Sequence, residues 1–126
     1  MEVVSLEHAM SVFRRWKVGL SPLLIFINRG DLAAQVFGLV NEIGPEPNPD
    51  TVTFSLARGT SAMRLSLSGA RFKEFDSSDT ERADRLEVLG FVVCITIWLQ
   101  SGGFVYLYEM PNQSSWPTIE ESQAVN

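Results

Sequence analysis

The sequence predicts a mainly β protein, α+β by strict count, with an N-terminal amphipathic helix packed on a bent antiparallel sheet of about six strands. Three observations support this prediction: apolar residues at helical spacing near the N-terminus, alternation over residues 51–68, and an uncharged run from Val88 to Tyr108. Because short connections favour antiparallel pairing of consecutive strands, we expect either a bent meander sheet or a small barrel.

Size and composition fit an ordinary globular chain. Of its 126 residues, 45% are hydrophobic and 20% are charged, which is typical of folded domains. We expect a single compact domain over residues 1–110 and a loosely ordered polar tail over residues 111–126. The net charge of −5 argues against nucleic acid as a partner, because that binding depends on neutralising phosphates.

The helix is predicted over residues 5–18. Met10 and Phe13 belong to an apolar stripe at helical spacing, and Ser5 is a suitable N-cap. Gly19 and Pro22 are expected to end the helix.

The sheet is predicted over residues 23–110. The apolar run 23–27 reads as a strand that ends in the turn sequence 28–31. Residues 33–43 fit either a strand with a kink at Gly38 or a short helix, and we prefer the strand.

A hairpin is the clearest prediction in the chain. Residues 51–56 and 63–68 alternate apolar and polar side chains on either side of the turn sequence 58–61. At Gly69 the alternation slips by one position, which indicates a β-bulge in a strand that continues toward Phe75.

The run from Val88 to Tyr108 contains 21 residues and no charge. Ser101, Gly102 and Gly103 interrupt it, and β-branched and aromatic residues dominate it, so we expect a second hairpin rather than a membrane-spanning helix. Both faces of this hairpin are apolar, and one helix can cover only one face of the sheet. The second face therefore needs a barrel closure, a ligand or another subunit to cover it.

The sequence carries no catalytic or cofactor signature, so an enzyme is the less favoured reading. His8 and Cys94 are single residues of their type and cannot supply the ligands of a typical zinc site. We expect no metal and no cofactor. The acidic stretch 76–87 contains arginines as well and is expected to be a solvated loop or a short helix.

Two groups of residues are the candidate sites. The candidates for contact with a partner or ligand lie in the second hairpin and are Trp98, Phe104, Tyr106, Tyr108 and Thr96. The candidates for an anion-binding patch are Arg14, Arg15 and Lys17, although these bases also fit an ordinary polar helix face.

From these features we expect a soluble, cytoplasmic, non-enzymatic interaction or assembly module. A homodimer formed through the C-terminal hairpin is the favoured arrangement. The alternative is a small-molecule binding domain with an apolar cavity lined by Trp98, Tyr106, Phe104 and Phe54. We expect neither nucleic acid nor a membrane as a partner.

Overall fold

The computed structural model describes residues 2–44, 50–56, 61–76 and 91–111, and these ranges contain one helix and eight strands. In chain order the elements are β1 (Glu2–Val4), α1 (Leu6–Gly19), β2 (Leu23–Arg29), β3 (Leu32–Ile43), β4 (Thr51–Leu56), β5 (Ala62–Ser66), β6 (Arg71–Asp76), β7 (Val93–Trp98) and β8 (Phe104–Glu109). The predicted fold class is confirmed, because α1 packs on a single antiparallel sheet.

Helix α1 forms close to the expected residues. The Ser5 side-chain oxygen accepts a hydrogen bond from the His8 backbone N–H at 3.1 Å, which caps the first turn. Its apolar stripe is buried against the sheet and consists of Ala9, Met10, Val12, Phe13 and Trp16. The helix runs on to Gly19 and ends where Leu20 takes a left-handed conformation with φ 51°.

The strands follow the order β1-β6-β7-β8-β2-β3-β4-β5, and every neighbouring pair is antiparallel. Two meanders, β2 to β5 and β6 to β8, are therefore joined side by side through the pairing of β2 with β8. The central strands of the sheet come from distant parts of the chain, as the register Ile25 to Leu107 shows.

The strand count exceeds the expected six by two, for two separate reasons. The short strand β1 pairs with β6 and was not predicted. The segment predicted as one strand with a β-bulge at Gly69 is wrong as a single strand, because β5 ends at Ser66 and β6 begins at Arg71. Gly69 has φ +72°, and the Ala70 N–H donates to the Leu67 carbonyl at 3.1 Å, so these residues make a tight turn.

This turn shows that the sheet curls around α1. Residues 67–70 join β5, at one edge of the sheet, to β6, which lies beside the opposite edge. Five peptide steps reach at most about 18 Å, so the two ends of the strand order must approach each other. Leu65, Leu67 and Phe72 accordingly share one core with α1. The edge strands β1 and β5 do not pair, so the sheet is not closed into a barrel.

The predicted hairpins are confirmed. Strands β4 and β5 pair in the register Phe54 to Met63, and β7 and β8 pair on either side of the turn at Gly102 and Gly103. Residues 33–43 form the greater part of a strand, β3, with an irregularity after Val40.

Several predictions fall on residues outside the described ranges. They concern the greater part of the polar tail (112–126), the acidic stretch from 77 onward, and the beginning of the uncharged run (88–90). Among the described residues, no helix has the length and apolar character needed to cross a membrane.

Candidate functional site

The two faces of the sheet differ in what covers them. The inner face packs against α1, and its buried residues form the main core. The outer face is the opposite one, and the strand registers place its side chains in three rows across the central strands. These rows are Phe75–Cys94–Tyr108–Leu24–Phe37, Lys73–Thr96–Tyr106–Phe26–Gln35 and Arg71–Trp98–Phe104–Asn28–Ala33. The outer face is the candidate site, because it is rich in aromatic side chains and no helix of the described residues lies on it.

The first row forms a second, smaller core. Phe91 lies against Tyr108 with ring centroids 5.1 Å apart, and Phe75 contacts both rings edge to face. Tyr108 is only 2% exposed, and Cys94 is fully buried. This part of the outer face is packed and offers little surface to a partner or ligand.

The predicted contact residues all lie on the outer face, because the register of β7 with β8 pairs Thr96 with Tyr106 and Trp98 with Phe104. Trp98, Phe104 and Tyr106 are half-buried and keep part of each ring accessible. Thr96 and Tyr108 are buried beside them. The structure therefore brings the five residues together, but only three of them present accessible surface.

Phe54 does not belong with these residues. Its side chain is fully buried on the inner face, where its strand neighbours are Val40 and Met63. The expected cavity lined by Trp98, Tyr106, Phe104 and Phe54 is therefore wrong. Strand alternation within β4 fixes the face of Phe54, but the sequence pattern alone does not relate that face to the faces of β7 and β8.

An open groove of about 520 Å³ lies where the second and third rows cross β8, β2 and β3. We call it the outer groove. It is lined by Phe26, Ile27, Asn28, Ala33, Ala34, Gln35, Phe104 and Tyr106. The small side chain of Ala33 leaves space beside the larger aromatic rings. Aromatic walls with two amide side chains can hold an apolar body and orient its polar groups.

The Phe104 and Tyr106 rings form one wall of the outer groove. Their centroids lie 5.2 Å apart at an interplanar angle of 76°, and Tyr106 stacks on Tyr108 at 6.3 Å. Phe26 contacts Tyr108 edge to face at 5.8 Å. The packed first row thus supports the accessible rings from one side and fixes their orientation.

The predicted anion patch is divided by the helix geometry. Arg14 and Lys17, three residues apart, line one shallow groove together with Val18 and Ile43. Arg15 points elsewhere, and its guanidinium lies 3.5 Å from the Glu109 carboxylate. The structure therefore brings two of the three bases together and pairs the third with an acid.

A second cationic site lies at the β1 edge of the outer face and was not predicted. A pocket of about 280 Å³ is lined by Val3, Arg71, Phe72, Lys73 and Trp98. We call it the edge pocket. Arg71 and Lys73 stand two residues apart, a spacing that places both side chains on one face of a strand. That spacing was available in the sequence, but the proximity of Trp98 depends on the pairing of β6 with β7.

The single histidine takes part in a local contact. His8 Nε2 lies 2.8 Å from Glu74 Oε1, which links α1 to the inner face of β6. Among the described residues, no group of three or more His, Cys, Asp or Glu side chains could hold a metal ion.

Neither the models of protein families, nor curated proteins, nor solved structures give a match to this chain.

Proposed function

We propose that this protein is a binding module that takes a small, largely apolar ligand in the outer groove. The observation that supports the proposal is the meeting of three aromatic rings with the amides of Asn28 and Gln35 around one groove of about 520 Å³. Ligand pockets of this kind are typically about 300–1,000 Å³ and combine apolar walls with a few polar groups.

The chemistry of the lining favours binding over catalysis. Among the described residues that line the outer groove, none is an acid, a histidine, a cysteine, a serine or a threonine. An apolar ligand that packs against the rings of Phe26, Phe104 and Tyr106 would remove apolar surface from water, and this burial would favour binding. The two amides each offer a donor and an acceptor, which would orient one polar group of the ligand.

The test uses a panel of small aromatic and aliphatic compounds and the backbone amide spectrum of the ¹⁵N-labelled protein. Ala33→Trp fills the outer groove at an exposed strand position, and Ala62→Trp places the same ring on the outer face away from it. A ligand of the outer groove should shift the signals of residues 26–28 and 33–35. Its affinity should fall in Ala33→Trp and remain unchanged in Ala62→Trp.

The proposal fails if no compound shifts these signals in the wild type. It also fails if Ala33→Trp binds as well as Ala62→Trp, because the site would then lie elsewhere.

A homodimer through the C-terminal hairpin is the second candidate function. The observation that favours it is the adjacency of Trp98, Phe104 and Tyr106, which expose parts of their rings near the middle of the sheet. Strands β7 and β8 are interior strands, so a second copy could contact them only face to face. The curl of the sheet around α1 makes the outer face convex and reduces the area of such a contact. We therefore place the homodimer second.

Light scattering over a range of concentrations tests the dimer. Phe104→Glu places a charge among the exposed rings, and Val18→Glu places the same charge on a helix position that is 86% exposed. A dimer through the hairpin should have twice the monomer mass and should dissociate in Phe104→Glu but not in Val18→Glu. A monomeric mass at millimolar concentration would rule out the homodimer.

The cellular setting is also a proposal. The single cysteine of the chain, Cys94, is fully buried, which fits a reducing compartment such as the cytoplasm. Fractionation of cells that express the tagged protein would test this location.

A further inference from the structure

The edge pocket lies apart from the outer groove on the same face of the sheet. It is built by β1, β6 and β7, whereas β8, β2 and β3 build the outer groove. Trp98 lines the edge pocket and Phe104 lines the outer groove, and no residue lines both sites.

The two cations of the edge pocket have no anionic partner in the part of the chain that the structure describes. Neither Arg71 nor Lys73 makes an ion pair or a side-chain hydrogen bond there. The acids of the same strand, Glu74 and Asp76, alternate onto the other face, where Glu74 contacts His8. The outer-face positions of β6 and β7 carry no acid at all. Residues two apart in a strand have Cα atoms only about 6.6 Å apart, so the like charges of these two side chains repel each other, and an anion placed between them would relieve that repulsion.

The rest of the edge pocket is apolar. The Lys73 ammonium lies 5.2 Å from the centre of the Trp98 ring and covers part of its face. Across the pocket, Val3 on the edge strand is 74% exposed, which is unusual for a β-branched apolar residue paired within a sheet. An indole and an isopropyl group thus stand on either side of the two cations.

We propose that the edge pocket binds a small organic anion whose flat or apolar body lies between Trp98 and Val3. Its carboxylate or phosphate group accepts hydrogen bonds from Arg71 and Lys73. The arginine guanidinium can hold two oxygens of such a group at once, and the lysine ammonium adds a point charge. This site and its ligand are independent of the ligand proposed for the outer groove.

The charge and the apolar body are tested with four probes: phenylacetate, phenyl phosphate, benzyl alcohol and inorganic phosphate. Binding is followed by the indole N–H signal of Trp98, assigned with Trp98→Phe, in the ¹⁵N-labelled protein. Phenylacetate and phenyl phosphate should shift this signal in a saturable way, and added salt should weaken both. Benzyl alcohol lacks the charge, and inorganic phosphate lacks the ring, so each should bind about tenfold more weakly or not at all. The ratio of the first two affinities tells whether a carboxylate or a phosphate is preferred.

A pair of double variants provides a matched control. Arg71→Gln with Lys73→Gln removes the cations of the edge pocket. Arg14→Gln with Lys17→Gln removes two cations from α1 that likewise make no ion pair with any residue that the structure describes. The affinity for phenylacetate and phenyl phosphate should fall about tenfold in the edge-pocket double variant and should stay unchanged in the α1 double variant. Circular dichroism establishes that both variants fold.

Three outcomes would overturn the proposal. They are the absence of any saturable shift at Trp98, equal binding of the charged and uncharged probes, and equal weakening by the two double variants. The Ala33→Trp variant should still bind the aryl anions, so failure of the outer groove and failure of the edge pocket are distinguishable.

Discussion

The indole N–H of Trp16 donates a hydrogen bond to the Glu109 carboxylate, with Nε1 and Oε1 2.8 Å apart. Trp16 is fully buried in α1, and Glu109 is the last residue of β8, so this bond ties the helix to a central strand. Arg15 approaches the same oxygen at 3.5 Å from an exposed position. The glutamate thereby satisfies the polar atom of a buried indole.

Replacing Trp16 with Phe should destabilise the fold by about 2 kcal/mol, because the ring loses volume and the carboxylate loses its indole donor. Glu109→Gln should lower the free energy of unfolding by less, because the amide oxygen can still accept a hydrogen bond from the indole. The ion pair with the exposed Arg15 contributes little to stability. Urea unfolding of both variants measures the difference. An equal loss in Glu109→Gln would show that charge, rather than the hydrogen bond, stabilises this contact.

The turn between β7 and β8 offers a test with two adjacent glycines. Gly102 and Gly103 both have positive φ, at 100° and 87°. A Cβ on Gly103 would lie 2.7 Å from the Asn28 backbone oxygen, whereas a Cβ on Gly102 would meet nothing within 4 Å. Gly102→Ala should therefore cost about 1–2 kcal/mol from backbone strain alone. Gly103→Ala should cost at least about 1 kcal/mol more, because the β2 backbone must move.

Thermal and urea unfolding of the two alanine variants check this order. If they lose the same stability, the backbone of β2 yields to the new methyl group, and the close approach at Asn28 is not a constraint.

The buried hydroxyl of Thr96 has a weak hydrogen-bond partner on the outer face. Thr96 is fully buried, and among the described residues its hydroxyl forms a long hydrogen bond of 3.9 Å with the Cys94 sulfur. A thiol is a poor hydrogen-bond partner, so Thr96→Val should leave stability unchanged or raise it by about 1 kcal/mol. Thr96→Ala should lower it by about 1–2 kcal/mol through the lost methyl group.

Chemical denaturation of both Thr96 variants gives the answer. A valine variant that loses more than the alanine variant would reveal a strong partner of the hydroxyl.

The N-terminal cap of α1 gives a local prediction. Ser5→Ala removes the acceptor of the His8 N–H and should lower the free energy of unfolding by about 1 kcal/mol. Ser11→Ala is the control, because its hydroxyl donates to the His8 carbonyl from an exposed mid-helix position and alanine favours the helix. Melting temperatures should fall for the first variant and stay level or rise for the second. The reverse order would contradict the capping role.

Local patterns in the sequence were enough to predict the helix and the hairpins. The alternation of Val52 and Phe54 with threonines places both inward, and the structure agrees. The same alternation predicts one face for Phe104 and Tyr106 within β8, whereas the position of Trp98 beside them follows from the pairing of β7 with β8. Such patterns report on one strand and its immediate neighbour, which is why they succeeded here.

Local sequence patterns do not reveal which strands from distant parts of the chain pair with each other. The three residues of β1 are too few to show a period, and they become a strand only because β6 lies beside them. The slip at Gly69 suggested a bulge, because a bulge and a tight turn both interrupt alternation in the same way. The edge pocket was missed for the same reason, since Trp98 and Arg71 are neighbours only across the sheet.

The pairing of β2 with β8 has a consequence for how the chain acquires its fold. The middle of the sheet joins residues 23–28 to residues 104–109, a separation of about 80 positions. During synthesis, β2 and β3 leave the ribosome long before β8 exists. Until β8 is available, the hairpin of β2 and β3 exposes the unpaired edge of β2 and its apolar side chains. We expect slow folding that is limited by this late pairing, and a need for protection of the nascent chain until residue 109 has emerged.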